Sequence, residues 1–405
     1  MADPVVTPTP DPLSRPIRVV VQQPALSHYR IPVFRELAKR PGIDLCVVYG
    51  DEKGITNVSP DGFRAEFVKL HDIRIGPGLV RWHPAQYRYC TPRHADVVVL
   101  SWSTRYLSLV PGLVRARWND LGVVLWGHGY SKAEKQMRRR SRNALIAFAD
   151  SVVLYNYTAA QAIIDSGASP PERVFVALNT LDLEPIRAVA ASWRKNPEAL
   201  ARFRFENHLD AGPVVLFVSR LFESNRTDLL IRATPELLRH YPALSVVIVG
   251  DGPDAPRLKQ LAEDLGVAKA VRFVGALYGE EAIAPWFLSA DVFCYPTNVG
   301  LSLIHAMSYA LPIVTGDRQE AQNPEIEALH DGINGLTFKD GDAASLAQSL
   351  LMVLRDPAQK RRLGEAAEET VTGDFTIEKM VDGLEAAIRV AAVRHGRYGP
   401  NPAVR

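Results

Sequence analysis

Between Ile17 and Thr315 the chain alternates short runs of β-branched and other apolar residues with segments of helical length, and it does so in two successive sets. The first set is Ile17 to Val21, Asp44 to Tyr49, Phe67 to Leu70, Val97 to Leu100, Gly122 to Trp126, Ser151 to Tyr155 and Val174 to Leu178. The second is Val214 to Val218, Leu244 to Val249, Val271 to Val274, Val292 to Tyr295 and Ile313 to Thr315. Strands that return in one direction through a helix form a parallel sheet, which needs helices on both faces. An α/β fold is therefore expected. At 405 residues the chain exceeds the size at which one core stops growing, so two domains follow. The polar, helical stretch 183–211, ending in Gly212-Pro213, reads as the linker. The expected organisation is a disordered tail over 1–15, an N-terminal domain over 16–205 and a C-terminal domain over 206–375. A helix over 376–395 would cross back to the first domain, and 396–405 would be a loose tail.

Composition narrows the function classes. Hydrophobic content of 47% and 23% charged residues are ordinary for a soluble globular protein. No apolar run has membrane-spanning length and the N-terminus lacks the apolar core of a signal peptide, so a cytoplasmic location is expected. Cys46, Cys90 and Cys294 are scattered in apolar surroundings without metal-ligand spacing and read as core thiols. The halves differ in charge: residues 1–205 hold 28 Lys and Arg against 18 Asp and Glu, whereas 206–405 hold 19 against 27. That asymmetry points to an anionic surface or substrate on one side only. The densest basic cluster, Lys132, Lys135, Arg138, Arg139, Arg140 and Arg142, fits either a helix lying on an anionic membrane surface or a solvated helix face. It lacks interleaved aromatics, so no nucleic-acid partner is expected.

In an open parallel sheet, ligands bind where loops leave the carboxyl ends of the strands. The stretch ADVFCYPTNVGLSLIHAMSYALPIVTG, Ala290 to Gly316, reads as strand, loop, helix, strand. Its Gly300 to Ser302 segment places a helix start after a small residue, where unpaired N–H groups meet an anion. An ordinary βαβ unit fits the same pattern. After Val218 come Ser219, Arg220, Asn225 and Arg226, and guanidinium groups suit phosphate oxygens. Gly250 to Gly252 is either a close approach of backbone to ligand or a turn alone. Gly275 to Tyr278 offers backbone groups and an apolar wall, from Leu277 and Tyr278, to a nucleobase. The loop Gln22 to Tyr29 has no glycine, so no dinucleotide fingerprint stands in the N-terminal half. Asp340-Gly-Asp342 reads as a helix cap, and no metal ligand set is expected.

The segments VLFVSRLFESNRTDLLIRA, VVIVGDGPDAPRL, VRFVGALY, SADVFCYPTNVGLSLIHAMSYALPIV and DGINGLTF, with LWGHG and RVFVALNTLD earlier, occur in one order. Together they resemble glycosyltransferase family 4, from about Arg18 to the terminal helix. The resemblance implies the GT-B fold: two Rossmann-like domains facing each other across a cleft, with the acceptor bound by the first, N-terminal domain and the nucleotide sugar by the second. It also implies a retaining, metal-independent hexosyltransferase without a cofactor. By resemblance Arg220 binds the donor diphosphate, the Gly300-Leu301 backbone meets the distal phosphate, the loop from Gly275 holds the base, and His128 contacts the donor sugar. His128 as a lone histidine also fits a satisfied core residue.

The chain departs from the family pattern at three positions. Thr297 and His305 stand where the family has two glutamates, and Asn225 stands for its phosphate-binding lysine. Thr297 and Asn298 are expected on the sugar, His305 on the ribose, and Arg226 in place of the lysine charge, with Val299 and Ser302 completing the donor set. Glu320 and Glu325 either restore a carboxylate or belong to a solvated loop. The expected acceptor is a glycan or a polyprenyl-diphosphate-linked sugar, in polysaccharide or exopolysaccharide synthesis, with peripheral attachment to the inner face of the cell membrane. The rival readings are a catalytically silent sugar-nucleotide-binding protein and a sugar-nucleotide epimerase.

Overall fold

The computed structural model describes residues 15–75, 78–129 and 136–395, without the side chains of 75, 78, 79 and 136–138. The tails expected over 1–15 and 396–405 therefore lie outside the described residues, apart from Arg15, whose guanidinium pairs with Asp96 at 2.7 Å. Lys132, Lys135 and the Arg138 side chain lie outside them too.

The chain forms two compact units, one made of the segments up to Leu178 and from Ile377 onward, the other of Asn179–Thr376. In the first, β1 (Ile17–Gln23), β2 (Ile43–Tyr49), β3 (Arg64–Phe67), β4 (His71–Ile75), β5 (Gly78–Trp82), β6 (Val97–Ser101), β7 (Gly122–Gly127), β8 (Ser151–Leu154) and β9 (Val174–Val176) follow in order. Seven of these form a parallel sheet in the order β3-β2-β1-β6-β7-β8-β9. The strand periodicity of two sends successive side chains to opposite faces. Val19, Val21, Val97, Val99, Val124 and Trp126 share one core with Val33, Phe34 and Leu37 of the helix Ile31–Lys39 and with Met380, Leu384 and Ile388 of the terminal helix. Val20, Val98, Leu100, Val123 and Leu125 share the other with Leu109, Leu113, Ile146 and Ile163. The terminal helix Ile377–Arg394 thus belongs to the first unit's core.

β4 and β5 make an antiparallel hairpin that the sequence reading lacks, and β3 occupies 64–67 rather than 67–70. Both elements are polar: the hairpin's Asp72 pairs with Lys53 and Arg81. Neither carries the apolar run that marks a buried strand.

The second unit holds β10 (Val214–Val218), β11 (Ser245–Val249), β12 (Val271–Gly275), β13 (Val292–Cys294), β14 (Ile313–Gly316) and β15 (Gly335–Phe338). Its parallel sheet runs β12-β11-β10-β13-β14-β15. This is the doubly wound order of a Rossmann unit, with the strand order reversing between β10 and β13.

The expected boundary at 205/206 is replaced by one at 178/179. The helices Leu183–Arg194 and Pro197–Glu206 pack within the second unit. Phe203 meets Trp286 edge to face at 5.0 Å and Trp193 at 6.2 Å, and the Arg204 guanidinium donates to the Ser289 carbonyl at 2.6 Å. Two aromatic anchors outweigh the polar composition that suggested a linker.

Among the described residues no helix is long and apolar enough to cross a membrane, and no cluster of His, Cys, Asp or Glu is placed to hold a metal ion. Burial pushes the Cys90 thiol up to about 12 and raises those of Cys294 and Cys46, as expected of packed rather than reactive thiols. Asp342 caps the helix Ala343–Arg355 by accepting from Ala344 and Ser345 N–H, which is the role read for it in the sequence.

Candidate functional site

The loops leaving β10 and β13 flank the reversal of strand order in the second sheet, where an open α/β sheet leaves a crevice. Ser219 and Arg220 follow β10 directly. Arg220 is exposed, and its backbone is held by its carbonyl, which accepts from the Asn225 side chain at 2.7 Å. Asn225 is buried, at 3% exposure, and its side-chain oxygen accepts from Asn298 Nδ2 at 2.8 Å. It therefore ties the two loops together. This corrects its expected role as a direct ligand group: both ends of its amide are committed to protein.

Arg226 adopts a left-handed conformation at φ 52° and occupies the N-cap position of the helix Thr227–His240, without a side-chain cap bond. Its Nε donates to Asp228 at 3.1 Å, so the charge expected to replace a lysine is shared with a carboxylate. The Ser219 hydroxyl accepts from the Tyr295 hydroxyl at 3.0 Å. Burial pushes the Tyr295 phenol up to about 12, so it stays a donor.

After β13 the chain turns through Pro296 and Thr297 to Asn298, which has φ 62°. The Asn298 carbonyl accepts from Asn323 Nδ2 at 3.0 Å. Val299 is fully buried and its N–H is given to Gln322 Oε1 at 2.9 Å, so Val299 is withdrawn from the donor set. The helix Leu301–Ser308 then begins at Gly300 with no side-chain cap. First-turn N–H groups, here those of Leu301 and Ser302, have no acceptor within their own helix. Thr297 is 7% exposed, and its hydroxyl has no hydrogen-bond partner among the described residues. A buried, unpaired hydroxyl costs about 1–3 kcal/mol, which is tolerated where a ligand completes it.

Gly250 stands where the loops after β10 and β11 pack closely. A Cβ built on it would lie 1.8 Å from the Ser219 carbonyl oxygen. Around it Leu221 N–H donates to Asp251 O at 3.0 Å and Asp254 N–H to Leu221 O at 3.1 Å, lacing the β10 and β11 loops together. Of the expected base-binding residues, Gly275 has φ 89° and open space at its Cβ position, Leu277 is half-buried and Tyr278 is 87% exposed.

His305 is paired rather than open. Its Nε2 lies 3.0 Å from Glu280 Oε1, the Tyr309 hydroxyl donates to the same oxygen, and Phe287 packs 4.5 Å from the His305 ring. The sequence reading missed Glu280. Of the carboxylates it did weigh, Glu325 is buried and accepts from Asn179, not solvated, whereas Glu320 is exposed. Burial acts to raise the Glu280 carboxyl, but the hydrogen bond from His305, its charge and the Tyr309 bond outweigh it and hold the group below 4.5. A depressed folded value means stability that is present above the unfolded value and lost as pH falls through the folded one. Glu280→Gln should therefore flatten the acid limb of a Tm-versus-pH curve below about pH 4.5, leaving the neutral region less stable than wild type.

In the first unit His128 follows β7, is exposed, and its ring lies 4.7 Å from that of Tyr155. Its loop is held from behind by Arg142, which is buried and donates to the Gly129 carbonyl. Arg142 thus leaves the basic cluster expected on the surface, while Arg139 and Arg140 remain exposed.

Residues 201–370 match the family described as glycosyl transferases group 1. The chain is 30% identical over 406 residues to a D-inositol 3-phosphate glycosyltransferase of Geodermatophilus obscurus, covering 90% of this chain and 84% of that protein. It is 33% identical over 181 residues to a GDP-mannose-dependent alpha-(1-6)-phosphatidylinositol monomannoside mannosyltransferase of Mycolicibacterium smegmatis, covering 42% of this chain and about half, 46%, of that one. In structure it is similar to Anabaena Alr3699/HepE, solved in complex with UDP, with a TM-score of 0.70 at 16% identity over 92% of this chain and 100% of that one. The chain belongs to the group 1 glycosyltransferases and has their GT-B fold of two Rossmann-like domains.

Proposed function

We propose that the protein transfers a hexosyl group from a nucleoside diphosphate sugar to a lipid-linked or glycolipid acceptor, with retention of configuration and without a metal ion or further cofactor. The observation that carries this reading is the placement of Arg220 and of the uncapped start of the helix Leu301–Ser308 on the two loops that flank the strand-order reversal. A guanidinium and a helix N-terminus both stabilise charge building on a leaving diphosphate. In this reading the acceptor hydroxyl oxygen bonds to the anomeric carbon as the bond from that carbon to the phosphate oxygen breaks. The hydroxyl proton passes to the departing phosphate on the same face, so no protein nucleophile is needed. The donor class is supported by the relative named as GDP-mannose-dependent and by the neighbour solved with UDP; the acceptor class is supported by relatives named for inositol phosphate and phosphatidylinositol mannoside. Thermal shift with UDP, GDP and their sugars should show concentration-dependent stabilisation by one nucleotide series. A chain stabilised by none of them would sink the reading.

Thr297 gives a finer test. Thr297→Val keeps the shape and removes the unpartnered hydroxyl, so Tm should hold or rise. If the hydroxyl meets the donor sugar, kcat/KM should fall about tenfold, the worth of a hydrogen bond between neutral groups. A parallel loss of stability and activity would count against that contact.

A further inference from the structure

Arg30 is 5% exposed and stands at the end of the loop that leaves β1, in the turn His28–Arg30, beside the point where the first sheet reverses its strand order. Its guanidinium carbon lies 4.8 Å from the Trp126 ring centre, 5.0 Å from that of Tyr155 and 5.2 Å from that of Tyr29. One terminal nitrogen donates to the Tyr155 hydroxyl at 2.9 Å and the other reaches only the Met380 sulfur at 3.9 Å. Among the described residues no carboxylate pairs with it. Buried arginines are ordinarily paired with an acid, because an uncompensated charge away from water is costly. Rings over a guanidinium partly offset that cost while leaving in-plane N–H groups to bond an anion.

We propose that Arg30 receives a phosphate group of the acceptor. This deepens the reading of the first unit as the acceptor side and rests on it. The position agrees: Trp126 is on β7 and Tyr155 directly follows β8, so the cation sits at the carboxyl ends of these strands, and His128 packs on the same Tyr155. It is also in the half with the excess of basic residues. A phosphate monoester or diester offers two oxygens to the fork of a guanidinium, so the ligand is either a soluble sugar phosphate or a phospholipid headgroup.

The test compares wild type, Arg30→Met and Arg220→Ala by thermal shift and calorimetry, with inorganic phosphate, glucose 1-phosphate and UDP or GDP as separate probes. Methionine fills the aromatic box without charge, and Arg30→Met should have a Tm no lower than wild type without ligand. Stabilisation by inorganic phosphate should survive Arg220→Ala and be lost in Arg30→Met, with the dissociation constant at least tenfold weaker. Stabilisation by UDP, or by GDP where that is the nucleotide that stabilises wild type, should show the reverse pattern, so the donor reading fails or stands on its own probe. Stronger binding of glucose 1-phosphate than of phosphate identifies a soluble acceptor. Retention of wild type, but not Arg30→Met, on vesicles containing phosphatidylinositol and not on phosphatidylcholine alone identifies a lipid one. A phosphate response that Arg30→Met retains, or that wild type lacks, overturns the proposal and leaves Arg30 as a structural cation held by its rings.

Discussion

Arg220→Ala should lower the transfer rate by roughly 100- to 1000-fold, corresponding to about 3 kcal/mol of transition-state stabilisation for one donor aimed at developing charge. The fold should survive. The Arg220 backbone carries two bonds that alanine keeps: its carbonyl accepts from Asn225 Nδ2 at 2.7 Å and from Phe222 N–H at 3.2 Å. An exposed substitution of this kind usually changes stability by less than about 0.5 kcal/mol. Arg220→Lys should fall between the two, because a point charge persists while the two-toothed geometry is lost. The measurement is kcat and KM for the donor that stabilises the protein, with Tm recorded beside them. Equal activity in wild type and Arg220→Ala would show that Arg226 and the helix start suffice, although Arg226 already shares its charge with Asp228.

What the sequence reveals of this site follows from locality. The runs Val214 to Val218 and Val292 to Tyr295 are visible because buried parallel strands are continuous apolar stretches, and the loops after them are then known by position. Whether those loops meet depends on strand order, which pairs β10 with β13 across 77 residues separating Val215 from Val292. Side-chain commitments are less legible still. Asn225, Val299 and His305 look like ligand groups in the chain, yet each is taken by a partner distant in sequence: Asn298, Gln322 and Glu280. Glu280 escaped notice because it opens a helix after Gly279, where a carboxylate is ordinary. The domain boundary was misplaced for a related reason. Polar helices carrying a few aromatic anchors look like linkers until the surface they cover is known, as Trp193 and Phe203 show against Trp286. Arg30 has no sequence signature at all, since an arginine ahead of a helix is commonplace and only its three rings and missing acid distinguish it.

Gly250→Ala should be the most destabilising single-methyl change in the second unit. The added carbon would meet the Ser219 carbonyl oxygen at 1.8 Å and its carbon at 2.8 Å, and both are backbone atoms that cannot rotate away. Gly250 also has φ 143°, a conformation that residues with a side chain rarely adopt, at a cost of about 1–3 kcal/mol. Relief of the clash by shifting the neighbouring chain should add about 1–3 kcal/mol more. Against a total stability of about 5–15 kcal/mol for a domain, the variant should unfold at visibly lower urea. The strand bridge Gly250 N–H to Gly275 O at 2.8 Å and the bond from Ser219 N–H to Val249 O at 3.1 Å would be strained together, moving the Arg220 loop and the start of the proposed base-binding loop. Nucleotide binding should therefore weaken more than stability alone accounts for, when measured below the unfolding transition. Gly266→Ala is the control: Gly266 also has positive φ, 68°, but nothing lies within 4 Å of its Cβ position. It should lose about 1 kcal/mol and leave nucleotide affinity unchanged. Equal losses in the two variants would mean that backbone conformation, not the meeting of the two loops, makes glycine necessary at 250.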